Sequence, residues 1–122
     1  MPVPPPASRA RHLELGRRGE ALAAAAYEAR GFVVVARNWR DGRNGELDLV
    51  VARDRAVVVC EVKTRSSVAF GVPAEAVDWR KQRRIRMLAA RFLAASGLRP
   101  ASIRFDVAAV LGDTVEILEA AF

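Results

Sequence analysis

Gly45-Glu46-Leu47-Asp48-Leu49-Val50-Val51-Ala52-Arg53, followed through Asp54-Arg55 by Ala56-Val57-Val58-Val59-Cys60-Glu61-Val62-Lys63, is the stretch on which the fold turns. Both arms are rich in β-branched residues and are separated by a short polar turn. They read as two antiparallel strands, roughly 46–53 and 57–65. Alternation puts Glu46, Asp48, Val50 and Ala52 on one face of the first arm. It puts Val57, Val59, Glu61, Lys63 and Arg65 on one face of the second. With a two- or four-residue loop, Asp48 falls opposite Glu61 and Glu46 opposite Lys63, with facing Cβ atoms about 4.5–5.5 Å apart. A three-residue loop would destroy that register.

Upstream, Asp41-Gly42-Arg43-Asn44-Gly45 carries both D-G and N-G turn signals, and residues 32–40 read as another strand. Before it, an Ala-rich segment from Arg9 to Arg30 favours a helix ended by Gly31. Its inward stripe is Leu13, Gly16, Glu20, Ala23/Ala24 and Tyr27. Downstream, residues 66–77 read as a loop with Gly71 and Pro73 as breakers. Asp78 is placed to cap a helix that runs to Ser96 and stops at Gly97, with Ile85, Leu88/Ala89, Phe92 and Ala95 as its apolar stripe. Two last strands, 102–110 and 114–119, meet around Gly112-Asp113. Short links predict antiparallel neighbours, and the helical link between the third and fourth strands predicts a parallel pair. The expected fold is α/β: a mixed five-stranded sheet in sequential order, with a helix on each face.

The chain has 122 residues, enough for one domain whose core needs no staples. Residues 1–8 are expected to form a disordered Pro-rich tail and 9–122 the domain. No run approaches about 18 apolar residues, which excludes a membrane-spanning helix. Met1-Pro2-Val3-Pro4-Pro5-Pro6 lacks the n- and h-regions of a secretion signal, so the expected location is the cytoplasm. A single Cys excludes an internal disulfide; Cys60 faces away from Glu61 and reads as a buried thiol. His12 is the only histidine, which argues against a His-based triad or zinc site. The net charge of +6 favours a polyanionic partner, with DNA expected ahead of RNA. Only two of the 20 basic residues are lysine, Lys63 and Lys81, so an ammonium at those positions stands out.

Two carboxylates held face to face need a positive charge between them. A hard divalent cation, Mg²⁺ or Mn²⁺, meets that need with carboxylate oxygens and water. Asp48 and Glu61 are the candidate metal ligands, and Glu20, a charge on the inward helix stripe, is a further one. Lys63 shares the face of Glu61, within reach of a metal-bound water and of an attacked phosphate. The opening turns of the second helix carry Arg80, Lys81, Arg83, Arg84 and Arg86, read as a phosphate-contacting patch. Lys81 and Gln82 point toward the site, and Arg65 extends its basic rim. Trp39 and Trp79 have the chemistry to stack on bases, with packing at the rim of the fold as the plainer expectation.

At these residues the chain resembles the PD-(D/E)xK, or restriction-endonuclease-like, nucleases, which set Asp on one strand and Glu-x-Lys on the next within an αβββαβ core. More closely it resembles the YraN-like family of small bacterial proteins. That resemblance lies in Gly19-Glu20-x-x-Ala23, Asn38-Trp39-Arg40, Gly45 to Val50, Glu61 to Arg65, Phe70-Gly71 and Phe105-Asp106-Val107. A more distant likeness is to archaeal Holliday-junction resolvases. The resemblance implies a Mg²⁺ site with Asp48 and Glu61 as ligands, Lys63 as catalytic lysine and Glu20 as accessory carboxylate. Leu47 stands where the superfamily has Pro. The activity implied is metal-dependent hydrolysis of DNA, including branched or single-stranded forms. The alternatives are a nucleic-acid-binding or scaffolding domain that keeps the fold without turnover, and a homodimeric adaptor.

Overall fold

The computed structural model describes residues 6–65 and 77–122, with side chains from residue 13 onward. The elements run α1 (Pro6–Ala29), β1 (Val33–Arg40), β2 (Glu46–Arg53), β3 (Ala56–Arg65), α2 (Trp79–Ser96), β4 (Ser102–Leu111) and β5 (Thr114–Leu118). The strands form one sheet in sequential order, with β3 and β4 parallel and the other neighbours antiparallel. This is the expected α/β architecture, and its order matches an αβββαβ core followed by one strand. Helix α1 begins at Pro6, inside the stretch expected to be a tail; a residue without an N–H is tolerated in a first helical turn. The rest of that tail, the side chain of His12, and the 66–76 part of the loop with Phe70, Gly71 and Pro73 lie outside the described residues.

The caps of α2 are those the sequence encodes. Asp78 accepts from Lys81 N at 2.9 Å, and Gly97 takes the left-handed conformation (φ 74°) that closes the last turn onto Leu93 O. Each helix covers one face. Ala23, Ala24 and Tyr27 of α1 pack with Leu49, Val51, Val58, Cys60 and Ala108. Ile85, Leu88, Ala89 and Phe92 of α2 pack with Leu47, Val50, Val57, Val59 and Val107. Each fully buried aliphatic side chain contributes roughly 1.5–3 kcal/mol, so the hairpin's valines provide a rigid base for the charges at its far end.

Both predicted stripes are too long at one end. Leu13 is 61% exposed, because α1 first closes on the sheet at Gly19. Ala95 is also exposed, because the packed stripe of α2 ends with Phe92 and Leu93. A bulge between Val34 and Ala36 in β1 had no signal in the sequence.

Among the described residues, two charged side chains are buried, Glu61 and Asp106. Asp106 on β4 is a structural clamp. It accepts from Tyr27 Oη of α1 at 2.6 Å, from Arg104 at 2.8 and 2.9 Å, and from Ala120 N of the C-terminal segment at 3.0 Å. Burial and the Cys60 and Asp106 neighbours push the Tyr27 hydroxyl up, keeping it a neutral donor. Cys60 is buried beside it as expected, with its thiol pushed up to about 12 by burial.

Candidate metal centre

The β2–β3 ladder runs in the expected register from Arg53–Ala56 to Leu49–Cys60 and then stops. β2 stays paired with β1 as far as Glu46, and β3 with β4 as far as Arg65. The sheet therefore forks at Asp48 and Glu61. At the fork, Val62 N–H donates to Asp48 Oδ2 at 2.9 Å, so a side chain replaces the missing ladder partner. Alternation breaks at the same point: Leu47 joins the α2-side core, whereas Leu49 lies on the α1 side. Asp48 consequently borders two clefts. One, of about 380 Å³, faces α1 and is lined by Glu20, Lys63 and Thr64. The other, of about 240 Å³, faces α2 and is lined by Glu46, Glu61, Lys81 and Arg84. The expected Glu46–Lys63 pairing is lost with the ladder. Glu46 instead takes Arg40 Nε at 3.1 Å across β1 and β2.

Charge is concentrated at the fork. Burial first, and then the neighbouring Glu61, push the Asp48 carboxyl up to about 7. Glu61, only 7% exposed, meets two ammonium groups on one oxygen. Lys81 Nζ lies 2.7 Å from Oε1 and Lys63 Nζ 3.8 Å from it. Burial and the Lys81 ammonium hold Lys63 below the usual lysine range. Burial works against the charge on Lys81, but its hydrogen bonds to Glu61 and Lys63, with the charges of Glu61 and Asp48, together outweigh this and raise it. The two lysines singled out by composition thus converge on the same carboxylate.

Glu20 is brought to the α1-side cleft by close helix packing. A Cβ on Gly19 would lie 2.0 Å from Thr64 Oγ1 and 3.2 Å from its Cβ, so only glycine lets α1 approach β3 this closely. Gly19→Ala is expected to destabilise the fold by roughly 1–3 kcal/mol, read by chemical denaturation. Recovery in a Gly19→Ala/Thr64→Ala double variant, which removes the Thr64 hydroxyl, would trace the loss to that contact. The Glu20 carboxylate accepts from Asn38 Nδ2 at 2.6 Å. Asn38, at φ 48°, sits in the left-handed region, which asparagine tolerates better than most residues. Its positive φ had no sequence signal beyond the residue type.

The expected nucleic-acid residues separate. Lys81 turns inward to Glu61, and Arg84 lines the same cleft. Gln82 folds back, donating Nε2 to Val77 O at 3.0 Å, and so does not reach the site. Arg83 is exposed and lies with Arg80 against the Trp79 indole. Arg65 closes β3 opposite Leu111, partly buried. Arg86 leaves the patch to lie over Phe105 and Phe122. Trp39 packs edge-on against Phe92 as expected, whereas Trp79 is 60% exposed.

The donor set fits a hard divalent cation in kind: two oxygen-bearing side chains from adjacent strands, one of them held with a raised pKa by burial and by the other. Among the described residues, no group of three or more Asp, Glu, His or Cys side chains is gathered as a ligand cage. Water and phosphate oxygens would have to complete the shell, as Mg²⁺ commonly requires.

A family model, described as uncharacterised protein family UPF0102, matches residues 19–110. The chain belongs to this family. It is the family that the YraN-like resemblance describes. UPF0102 relatives include a protein of Rhodococcus jostii (strain RHA1), 48% identical over 102 residues, covering 84% of this chain and 86% of its own. One from Frankia alni is 53% identical over 96 residues, covering 79% of each chain. One from Moorella thermoacetica is 45% identical over 113 residues, covering 88% of this chain and 93% of its own. The UPF0102 match encloses Gly19, Glu20, Asn38, Asp48, Glu61, Lys63 and Lys81, the residues of the fork and its two clefts. No helix of this UPF0102 chain, among the described residues, is long and apolar enough to cross a membrane.

Proposed function

We propose that this protein is a metal-dependent nuclease that hydrolyses DNA phosphodiesters at the β2–β3 fork. The observation that supports this reading most is the convergence of Asp48, Glu61 and Lys63 where the two strands separate. When bound, Mg²⁺ or Mn²⁺ would activate a water and polarise the scissile phosphate. Asp48 and Glu61 would hold the cation, with Glu20 as accessory carboxylate from the α1 side. Lys63 Nζ would orient the attacking water and offset the charge that builds on the phosphate. Arg84 and Arg83 would contact flanking phosphates. The test is a panel of duplex, flap, junction and single-stranded DNA, and RNA, with Mg²⁺ or Mn²⁺. Metal titrations with and without Asp48 complete it. No cleavage of any member overturns the proposal.

Lys81 competes for the oxygen a cation would use. Lys81→Met is therefore expected to bind Mn²⁺ roughly 3- to 10-fold more tightly by calorimetry, because Glu61 loses its nearer positive neighbour. Unchanged or weaker affinity would remove Lys81 from the centre's electrostatics.

The paired ammonium groups on Glu61 also favour a second reading, a nucleic-acid-binding domain without turnover, since they balance its charge unaided. That reading requires binding that persists in EDTA, survives Lys63→Ala and weakens steeply with salt.

A further inference from the structure

Trp79 opens α2 with its indole 60% exposed, although a side chain of this size is ordinarily well covered. The Cζ of Arg80 lies 5.3 Å from its ring centroid and that of Arg83 lies 5.9 Å from it. Both guanidiniums lie over the ring at cation–π distance, yet the residue keeps 60% of its surface exposed. At about 100° per residue, Trp79 and Arg83 form one row along the helix and Arg80 and Arg84 the next. Lys81 belongs to the row that faces the sheet. Arg84 and Lys81 line the α2-side cleft, so the rows lead from the cleft, over two guanidiniums, to an open aromatic surface.

Such a surface suits a strand rather than a duplex. In a duplex the base faces are stacked on one another, and an indole has nothing to stack on. An unpaired nucleotide offers a free base face to the indole and a phosphate to the arginines beside it. The indole and its arginines adjoin the α2-side cleft lined by Arg84 and Lys81, and the net charge of +6 suits a polyanion, which favours a nucleotide over a protein surface.

We infer that Trp79, with Arg80 and Arg83, is a stacking platform for an unpaired nucleobase beside the fork, which makes DNA with a single-stranded segment the substrate class. The inference rests on the nuclease reading but reports on binding alone. The test measures binding of (dT)12, the matching (rU)12 and a blunt duplex in EDTA, by fluorescence anisotropy, together with Trp emission. (dT)12 is expected to quench the wild-type emission, and Trp79→Phe, which keeps Trp39, is expected to lose most of the quenching. Trp79→Ala is expected to weaken (dT)12 binding by roughly fivefold or more and duplex binding by less than about twofold. Trp79→Phe is expected to recover most of the affinity, since any aromatic face stacks. Tight (dT)12 binding that leaves the emission unchanged, or equal losses for strand and duplex, overturns the platform and leaves the nuclease reading standing. A platform that weakens (rU)12 alone overturns the assignment to DNA. No binding to any of the three overturns both.

Discussion

Asp48→Asn is expected to lower Mg²⁺-dependent cleavage by roughly 10³-fold or more and, in the same protein, to raise its stability at pH 8. The two effects have one cause. A carboxyl held near 7 instead of its ordinary 3.8 is ionised at pH 8 at a cost of about 4 kcal/mol to the fold. The neutral amide removes that cost but keeps part of the burial penalty, and its Oδ1 still accepts from Val62 N. The expected net gain is on the order of 2 kcal/mol. The sign follows from linkage. The carboxyl is protonated in both folded and unfolded chains below about pH 4, so no cost exists there. The cost grows as pH rises from 4 to 7 and is complete above 7. The stabilisation of Asp48→Asn is therefore expected at pH 8 and should fade as the pH is lowered to 4, read by thermal melts without metal. A variant that loses stability at pH 8 would show Asp48 to be a structural acid. Retained cleavage would remove it from the metal centre.

Asp106→Ala is expected to do the reverse. It removes a fully buried carboxylate that holds Tyr27, Arg104 and Ala120 N, tying α1, β4 and the C-terminal segment together. The loss leaves a buried hydroxyl and a half-buried guanidinium without their acceptor. It is expected to cost about 3 kcal/mol or more, on the order of 10 °C in melting temperature. Metal affinity of the remaining folded protein is expected to stay unchanged, because Asp106 faces the α1-side core away from Glu61. A small stability change together with lost metal binding would move Asp106 from the clamp to the site. The pair of variants thus separates an acid kept at the expense of the fold from one kept for it.

Most of the element boundaries were legible because local rules set them. Asp78 and Gly97 bracket α2, D-G and N-G end β1, and the two-residue loop at Asp54-Arg55 fixes the hairpin register. That register carried the opposition of Asp48 and Glu61 to within a residue of where the ladder ends. The fork itself was not legible. Alternation assumes a continuous pleat, whereas the Asp48 carboxylate, taking the Val62 N–H, ends the pairing and releases Glu46 to Arg40. The destination of Lys81 was half legible: its rarity singled it out, but its contact with Glu61 depends on how α2 lies across the sheet.

The amino-acid order by itself determined the αβββαβ succession, the hairpin and the side-chain types at its charged end. Spacing, turn residues and caps act within a few positions of one another, where chain connectivity does the organising. Only the tertiary structure decided that two lysines share one carboxylate, that Asn38 holds Glu20, and that Asp106 is a clamp rather than a ligand. The contacts that decide them, Lys81 to Glu61, Asn38 to Glu20 and Tyr27 to Asp106, join residues 18 to 79 positions apart and are set by the packing of whole helices against a forked sheet.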